Sequence, residues 1–224
     1  MVKVLNETDS VFQHFLAEVR DKEVQKDRMR FRRNLERIGE VLAYEISKGL
    51  SYEEDRTETP LGGAEIRKLT QQPVLATILR AGLPFHNGFL NYFDQAESAF
   101  LSAYRKPLKN DPEEFEIRLE YMACPPLQDR ILILTDPMLA SGSSLVTAYK
   151  ALIEMGRPSK VIVSAIIASD EGVGKVKRNM PENTEFWIGA LDKELTAQSY
   201  IVPGLGDAGD LAFGSKESTE QNDE

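Results

Sequence analysis

Residues 131–144 read I-L-I-L-T-D-P-M-L-A-S-G-S-S, and a helical pattern follows at once. Ile131, Leu132, Ile133 and Leu134 make an unbroken apolar run with Thr135, as expected of a parallel strand buried on both faces. The run ends at an acid. Asp136 is thereby placed at the carboxyl edge of a sheet, where open α/β folds bind ligands, and the loop beyond it carries Ser141, Gly142, Ser143 and Ser144. Such a loop suits an anion: small residues admit it to the backbone, hydroxyls donate to it, and the following helix offers unpaired N–H groups at its positive end. No Lys-Ser/Thr pair follows Gly142, so this is not a Walker loop, and the three-glycine dinucleotide fingerprint is missing. An ordinary strand, turn and helix cap uses the same residue types, so spacing alone leaves an anion site and a plain turn both open.

Upstream, Val74 to Leu79 repeats the buried-strand pattern and ends in Arg80-Ala81-Gly82-Leu83. An arginine there is either a fork for phosphate oxygens or a structural partner for an acid. Pro84 to Phe93 reads as the next helix, with Pro84 in its first turn. It carries His86. With only His14 besides, no histidine triad or histidine metal cluster is supported. Ser98 to Tyr104 reads as a strand ending in Arg105, and the turn-rich 106–112 with alternating Phe115, Ile117, Leu119 and Tyr121 predicts a β-hairpin arm. Flap, dimer contact and substrate binding are all open for it. Nearer the N-terminus, helices are predicted over Thr8–Arg20 and Val24–Ser47, the second stopped by Gly49. The cluster Arg28, Arg30, Arg32 and Arg33 lies among acids and reads as a solvated, ion-paired face. Between them and Val74, the polar stretch 51–73 reads as an excursion with a short hairpin and a weak strand over Glu65–Leu69.

Downstream, Leu145–Met155 is helical in pattern, Lys160–Ala168 is a further apolar strand, Ser169–Gly174 a turn, Val176–Met180 a helical piece and Glu185–Ala190 a short strand. Strands and helices in alternation predict an α/β fold, a mostly parallel twisted sheet with helices on both faces, plus the N-terminal helices and the arm. Tyr200 to Gly214, Y-I-V-P-G-L-G-D-A-G-D-L-A-F-G, holds four glycines and a proline and reads as a shaped loop. A length of 224 residues suits a single domain over 1–215, followed by an acidic, disordered tail at 216–224. The formal charge of −9 opposes nucleic acid and anionic membranes as partners. One cysteine, Cys124, excludes an internal disulfide, and the absence of a long apolar segment or signal peptide makes a reducing cytoplasm the expected location.

Several motifs in order carry a resemblance: I-L-R-A-G-L at 78–83, Tyr104-Arg105, D-P-M-L-A-S-G-S-S at 136–144 and Y-I-V-P-G-L-G-D-A-G-D at 200–210. Together they resemble the uracil phosphoribosyltransferases, type I phosphoribosyltransferases, over nearly the whole chain. The resemblance implies transfer of the 5-phosphoribosyl group from phosphoribosyl diphosphate to uracil, giving uridine monophosphate and diphosphate in pyrimidine salvage. It implies that Asp136 accepts from the ribose hydroxyls and that Pro137, Met138, Leu139, Ala140, Ser141, Gly142, Ser143 and Ser144 enclose the 5-phosphate. Arg80 and Arg105 then face the diphosphate, while Asp207 lies near phosphoribosyl diphosphate through magnesium, the implied cofactor carried with the diphosphate. Ile201, Gly206, Asp207 and Ala208 border uracil, read through backbone groups. A homodimer or higher homo-oligomer and a nucleotide effector such as GTP belong to the same implication. Three positions depart from the family pattern: Ser141 for threonine, Ser143 for glycine and Leu211 for a basic residue. Those departures keep a second expectation in play, a weakly or non-catalytic regulator of this fold that senses nucleotides or, against its acidic balance, binds RNA.

Overall fold

The computed structural model describes residues 1–108 and 111–215, and the side chains among them other than those of 104–117. In chain order the elements are β1 (Val2–Val4), α1 (Phe12–Arg20), α2 (Arg28–Ser47), β2 (Tyr52–Thr59), β3 (Gly62–Leu69), β4 (Val74–Leu79), α3 (Gly82–Leu90), β5 (Glu97–Leu108) and β6 (Asp111–Ala123). Then come β7 (Ile131–Leu139), α4 (Ser143–Leu152), β8 (Lys160–Ser169), α5 (Asp170–Asn179), β9 (Glu185–Asp192), β10 (Glu194–Leu195), β11 (Ile201–Val202) and α6 (Ala208–Phe213).

Apolar runs that read as buried strands become the centre of a seven-stranded sheet ordered β1-β9-β8-β7-β4-β5-β6. Its neighbours are parallel except for β5 and β6. Side chains alternate between the two faces. Leu75, Ile133 and Ile162 point to one core with Phe12, Leu35, Phe85 and Ala212 of α1, α2, α3 and α6. Val74, Ala76, Leu132, Leu134, Val161 and Val163 point to the other, with Leu145 and Tyr149 of α4 and Val173 and Val176 of α5. Helices on both faces are thus what a sheet of doubly apolar strands requires.

The chain leaves β4 through α3 toward β5, whereas it leaves β7 through α4 toward β8 on the opposite side. Strand order therefore reverses between β4 and β7, and the crevice at their carboxyl ends is the expected ligand position in such a sheet. Below that crevice, α2 and α3 touch backbone to backbone: a Cβ on Gly88 would lie 2.8 Å from the Glu40 nitrogen and 2.9 Å from the Gly39 Cα.

The expected hairpin forms, with β6 antiparallel to β5 at the edge of the sheet. Several other expectations need correction. The excursion at 51–73 is a full hairpin, β2 against β3, forming its own two-stranded sheet. The turn expected at 169–174 is instead the start of α5, whose cap is Ser169: its hydroxyl accepts from the Gly172 N–H. β1, too short to show a pattern, pairs parallel with β9. The long second helix begins at Arg28, capped by Asp27, after a separate 3-10 turn at Val24–Lys26. The expected tail at 216–224 lies outside the described residues.

Candidate active site

β4 and β7 stay paired up to Thr77 and Thr135, whose hydroxyls cross-link the strands through the Thr135 and Ala76 carbonyls. Beyond that point β7 does not end at its acid. It continues to Leu139 on the β8 side, pairing Asp136, Met138 and Leu139 with Ala165, Ile167 and Ala168. Asp136 is the first residue past the last β4 pairing, where the sheet opens. Its Oδ1 accepts from the Met138 N–H at 3.1 Å. Burial pushes the carboxyl up to about 7 against the smaller, opposite pull of that bond.

Asp136, Met138, Leu139 and Ala140 to Leu145 line a hollow. Gly142 precedes α4 with φ +74°, a left-handed conformation that favours glycine, and no side chain caps the new helix. The first N–H groups of α4 are thus not taken up by a cap. From behind, α5 forms the wall of this loop. Ser169 Oγ donates to the Ala140 carbonyl at 2.6 Å, a Cβ on Gly172 would run into that carbonyl, and Val176 lies against Gly142. Within the loop Ser141 Oγ lies 3.2 Å from Ser143 Oγ, and the Lys175 ammonium donates to Ser143 Oγ at 2.7 Å.

The second loop, Ile201 to Gly214, is held from remote parts of the chain. Arg20 of α1 makes a two-pronged pair with Asp192 at the end of β9, both contacts at 2.8 Å, and donates to the Gly204 carbonyl at 2.9 Å. Asp192 Oδ2 also accepts from the Gly204 N–H at 2.9 Å. Gly204, at φ +56°, follows the cis Val202–Pro203 peptide. Arg32 of α2 donates to the Ala212 carbonyl at 2.7 Å, and Asp207 Oδ1 caps α6 by accepting from Asp210 N–H at 3.0 Å. Ile201, Leu205, Ala208 and Ala212 are buried in the core, so the loop has an apolar root and a polar rim.

These positions bring part of the expected site together. Asp136 and Met138 to Ser144 share one hollow, with Pro137 buried in the same strand. The second loop adjoins the carboxyl end of β4, since a Cβ on Gly209 would lie 3.9 Å from Arg80 Nη2 and 4.0 Å from Ala81 Cβ. Arg80 itself reaches that loop, with Nη2 at 3.3 Å from Asp210 Oδ1 and 3.2 Å from the Gly214 carbonyl. Its guanidinium thus bridges to an acid here, which is the structural role left open above. Ile201 and Ala208 bury their side chains, leaving only main-chain groups to meet a ligand, whereas Gly206 is exposed at φ +94°, where a Cβ would touch Leu211 Cδ1 at 3.8 Å. Arg105 lies on β5, and its side chain falls outside the described ones. His86 is buried against Ser98 and Phe100, far from a catalytic histidine's exposure.

Sequence reading missed Arg20, Asp192 and Lys175, and it placed Arg32 on a solvated, ion-paired face, whereas Arg32 donates to the Ala212 carbonyl. Contacts between residues 172 and 184 apart leave no local signal. Lys175 was hidden because Gly172 and Gly174 suggested a turn, where a helix cap at Ser169 with Asp170 and Glu171 in its first turn pointed to a helix.

Magnesium takes oxygen ligands and keeps several from water or phosphate. Among the described residues no three carboxylate, histidine or cysteine side chains converge as a self-sufficient metal site. Asp207 spends Oδ1 on its cap and keeps Oδ2 on the rim, an oxygen donor suited to an ion that is mainly substrate-bound. The residues fit magnesium in that limited sense.

An acid at the opened edge of a doubly wound sheet, beneath an uncapped helix start, makes a site suited to a phosphorylated ligand. The sequence profile of the uracil phosphoribosyltransferase family matches residues 6–215. A uracil phosphoribosyltransferase of Porphyromonas gingivalis is 54% identical over 207 residues, covering 92% of this chain and 95% of that one. Another, of Pyrococcus furiosus, is 37% identical over 202 residues, covering 89% and 84%. Among solved structures, the AQ2163 protein from Aquifex aeolicus superposes with a TM-score of 0.83 at 29% identity, covering 96% of this chain and 98% of that one. The chain belongs to the uracil phosphoribosyltransferase family.

Proposed function

We propose that this protein transfers the 5-phosphoribosyl group from phosphoribosyl diphosphate to a ring nitrogen of uracil, releasing diphosphate and forming uridine monophosphate. The observation that carries this reading is Asp136 in the gap between β4 and β7, directly before the hollow of 138–145. A carboxylate whose charge is made costly by burial, with one backbone donor, gains most from a ligand that brings two hydroxyl donors. A ribose diol is such a ligand. The Ala140 to Ser144 loop then receives the 5-phosphate on its backbone and hydroxyls, and the positive end of α4 favours the charge.

In the transfer, the bond from the anomeric carbon to the diphosphate oxygen breaks and a bond to the uracil nitrogen forms, with oxocarbenium character between. No side-chain nucleophile is needed. The chain contributes orientation and a fixed electrostatic environment. Arg80 and Arg105 serve the diphosphate in this reading, Arg80 by exchanging its contact with Asp210. Magnesium, held with help from Asp207, would offset charge on the departing diphosphate. Uracil is read by main-chain groups of Ile201, Gly206, Asp207 and Ala208. A fixed N–H aimed at a uracil oxygen would face the amino group of cytosine, leaving a donor unpaired at a cost of about 1–3 kcal/mol per group.

A cytoplasmic homodimer or larger homo-oligomer, with a nucleotide effector such as GTP, completes the proposal. Among the described residues no helix is long and apolar enough to cross a membrane. The β2–β3 hairpin, with Leu61 fully exposed at its turn, is a surface available for self-association. Incubation with phosphoribosyl diphosphate, magnesium and each nucleobase tests the activity. Uridine monophosphate and diphosphate should form with uracil far faster than with cytosine. Folded protein that binds phosphoribosyl diphosphate yet makes no product from uracil would overturn the enzyme reading in favour of a nucleotide-binding regulator.

A further inference from the structure

The loop of 140–144 departs from a backbone-only anion cradle at Ser143, and the structure shows what accompanies the departure. Ser143 Oγ lies 2.7 Å from Lys175 Nζ and 3.2 Å from Ser141 Oγ. Lys175 is half-buried, and among the described residues it has no acid partner. Its hydrogen bond to Ser143 leaves two of its three N–H donors for something else. A half-buried ammonium beside an anion-receptive loop, with no carboxylate partner among the described residues, favours an anion there.

The hydroxyl chemistry gives the pair a direction. Ser143 Oγ has two lone pairs and one hydrogen. With Lys175 donating to one lone pair and Ser141 to the other, the acceptor capacity of Ser143 is filled. Its own O–H is then left to donate into the hollow that Ser143 lines. The placement of Lys175 is built in by α5. Ser169, Gly172 and Val176, on the same side of that helix, seat it against Ala140 and Gly142, fixing the approach of Lys175 to the loop.

We propose that Lys175 is a positioning residue of the 5-phosphate subsite: it holds Ser143 as a hydrogen-bond donor and adds a positive charge that the loop alone lacks. The proposal rests on the phosphoribosyl-transfer reading for the identity of the phosphate. It assigns to residues 32 positions apart a joint task, with the serine in the loop serving as the lysine's contact to the ligand.

Ribose 5-phosphate, which carries this phosphate and no diphosphate, is the direct probe. Calorimetry on the full chain should show Lys175→Met binding it about tenfold to a hundredfold more weakly, the loss of one charge-assisted bond. Lys175→Arg should restore most of the affinity, and Ser143→Ala combined with Lys175→Met should lose less than the product of the two single losses. In steady state the KM for phosphoribosyl diphosphate should rise while the KM for uracil stays level. Unchanged ribose 5-phosphate affinity in folded Lys175→Met would overturn the proposal, as would additive losses in the double variant. Melting temperature monitors folding, and Lys175→Gln supplies a second neutral variant should the methionine destabilise the helix. Failure of the parent protein to turn over uracil would strike the transfer reading instead, leaving the ribose 5-phosphate result to judge Lys175 separately.

Discussion

The loop that follows β7 and the loop that adjoins the carboxyl end of β4 are made in opposite ways. The 139–144 loop is a local object: a strand runs out, Gly142 turns, α4 begins, and α5 closes the back through small residues. The 201–214 loop is tied down by arginines from α1, α2 and the β4–α3 turn, residues that precede it by most of the chain. The first loop draws its shape from close packing, the second from ionic and hydrogen-bonded tethers. Damage to packing beneath the first should therefore spoil phosphoribosyl diphosphate binding, and damage to a remote tether should spoil uracil binding.

The largest break of this symmetry is expected from Gly206→Val. At φ +94° a β-branched residue forces the backbone to another conformation, although a Cβ there would meet only Leu211 Cδ1, at an ordinary 3.8 Å. Uracil turnover should fall by about a thousandfold or more, the loss of roughly 4 kcal/mol or more of oriented contacts, while calorimetry still detects phosphoribosyl diphosphate. Normal turnover would remove this loop from the base site.

Next in size is Arg20→Ala. Asp192, only 8% exposed, is left without its cation, and the Gly204 carbonyl loses its donor. A loss of about 2–4 kcal/mol is expected, lowering the melting temperature by about 2–4 °C for each kcal/mol in a chain of this size. The KM for uracil should rise with little change in that for phosphoribosyl diphosphate; equal rises in both would show that the tether serves the whole edge. Gly172→Ala is the mirror experiment. Its methyl group meets the Ala140 carbonyl, an overpacking cost of about 1–3 kcal/mol, and here the KM for phosphoribosyl diphosphate should be the one to rise.

The smallest effect separates Asp136 from a buried group remote from both loops. Burial holds His86 down to about 4 from an ordinary 6.5, so its contribution to stability is complete above 6.5 and is lost as pH falls through 4. Asp136 acts in the reverse sense. Raised from 3.8 to about 7, its carboxyl binds a proton more tightly folded than unfolded, so it adds stability as pH falls from 7 toward 3.8. Asp136→Asn should therefore melt higher than the parent at pH 8 by a few degrees, the order of about 1 kcal/mol, yet lose stability more steeply between pH 6.5 and 4. Thermal scans across that range check both signs. Lower melting at pH 8 would mean that the charged carboxylate is stabilised by partners the structure does not give it.

The contrast between the loops also explains what was legible in the sequence. β4 could be bounded to the residue, because Val74 to Leu79 is an apolar run, broken only by Thr77, between Pro73 and Arg80. The 139–144 loop was legible because Asp136, Gly142 and the start of α4 lie close together in the sequence. β7 was read too short, since Asp136 and Pro137 look like a stop, although pairing with β8 alone carries the strand on to Leu139. Nothing local in Arg20 or Asp192 announces a partner on the far side of the chain, and an edge strand of three residues such as β1 has no period to read. Lys175 was illegible for a further reason: Ser143 stands out as a departure from the family pattern, but nothing in the sequence ties it to a lysine 32 residues on.

If the 201–214 loop borders uracil as proposed, the glycine contact between α2 and α3 gives that side of the crevice a dimension. Side chains between two helices act as a soft gasket, since a rotamer change absorbs a shift of several tenths of an ångström. Here Gly39 and Gly88 remove the gasket, and α2 rests on α3 as on a hard stop. Arg32, on α2, grips α6, and Arg80, in the turn that feeds α3, grips the same short helix and the residue after it. The spacing of these two grips is accordingly set by a backbone-to-backbone bearing. On that reading, the width of the opening through which a flat base passes is fixed at two positions that carry no side chain at all.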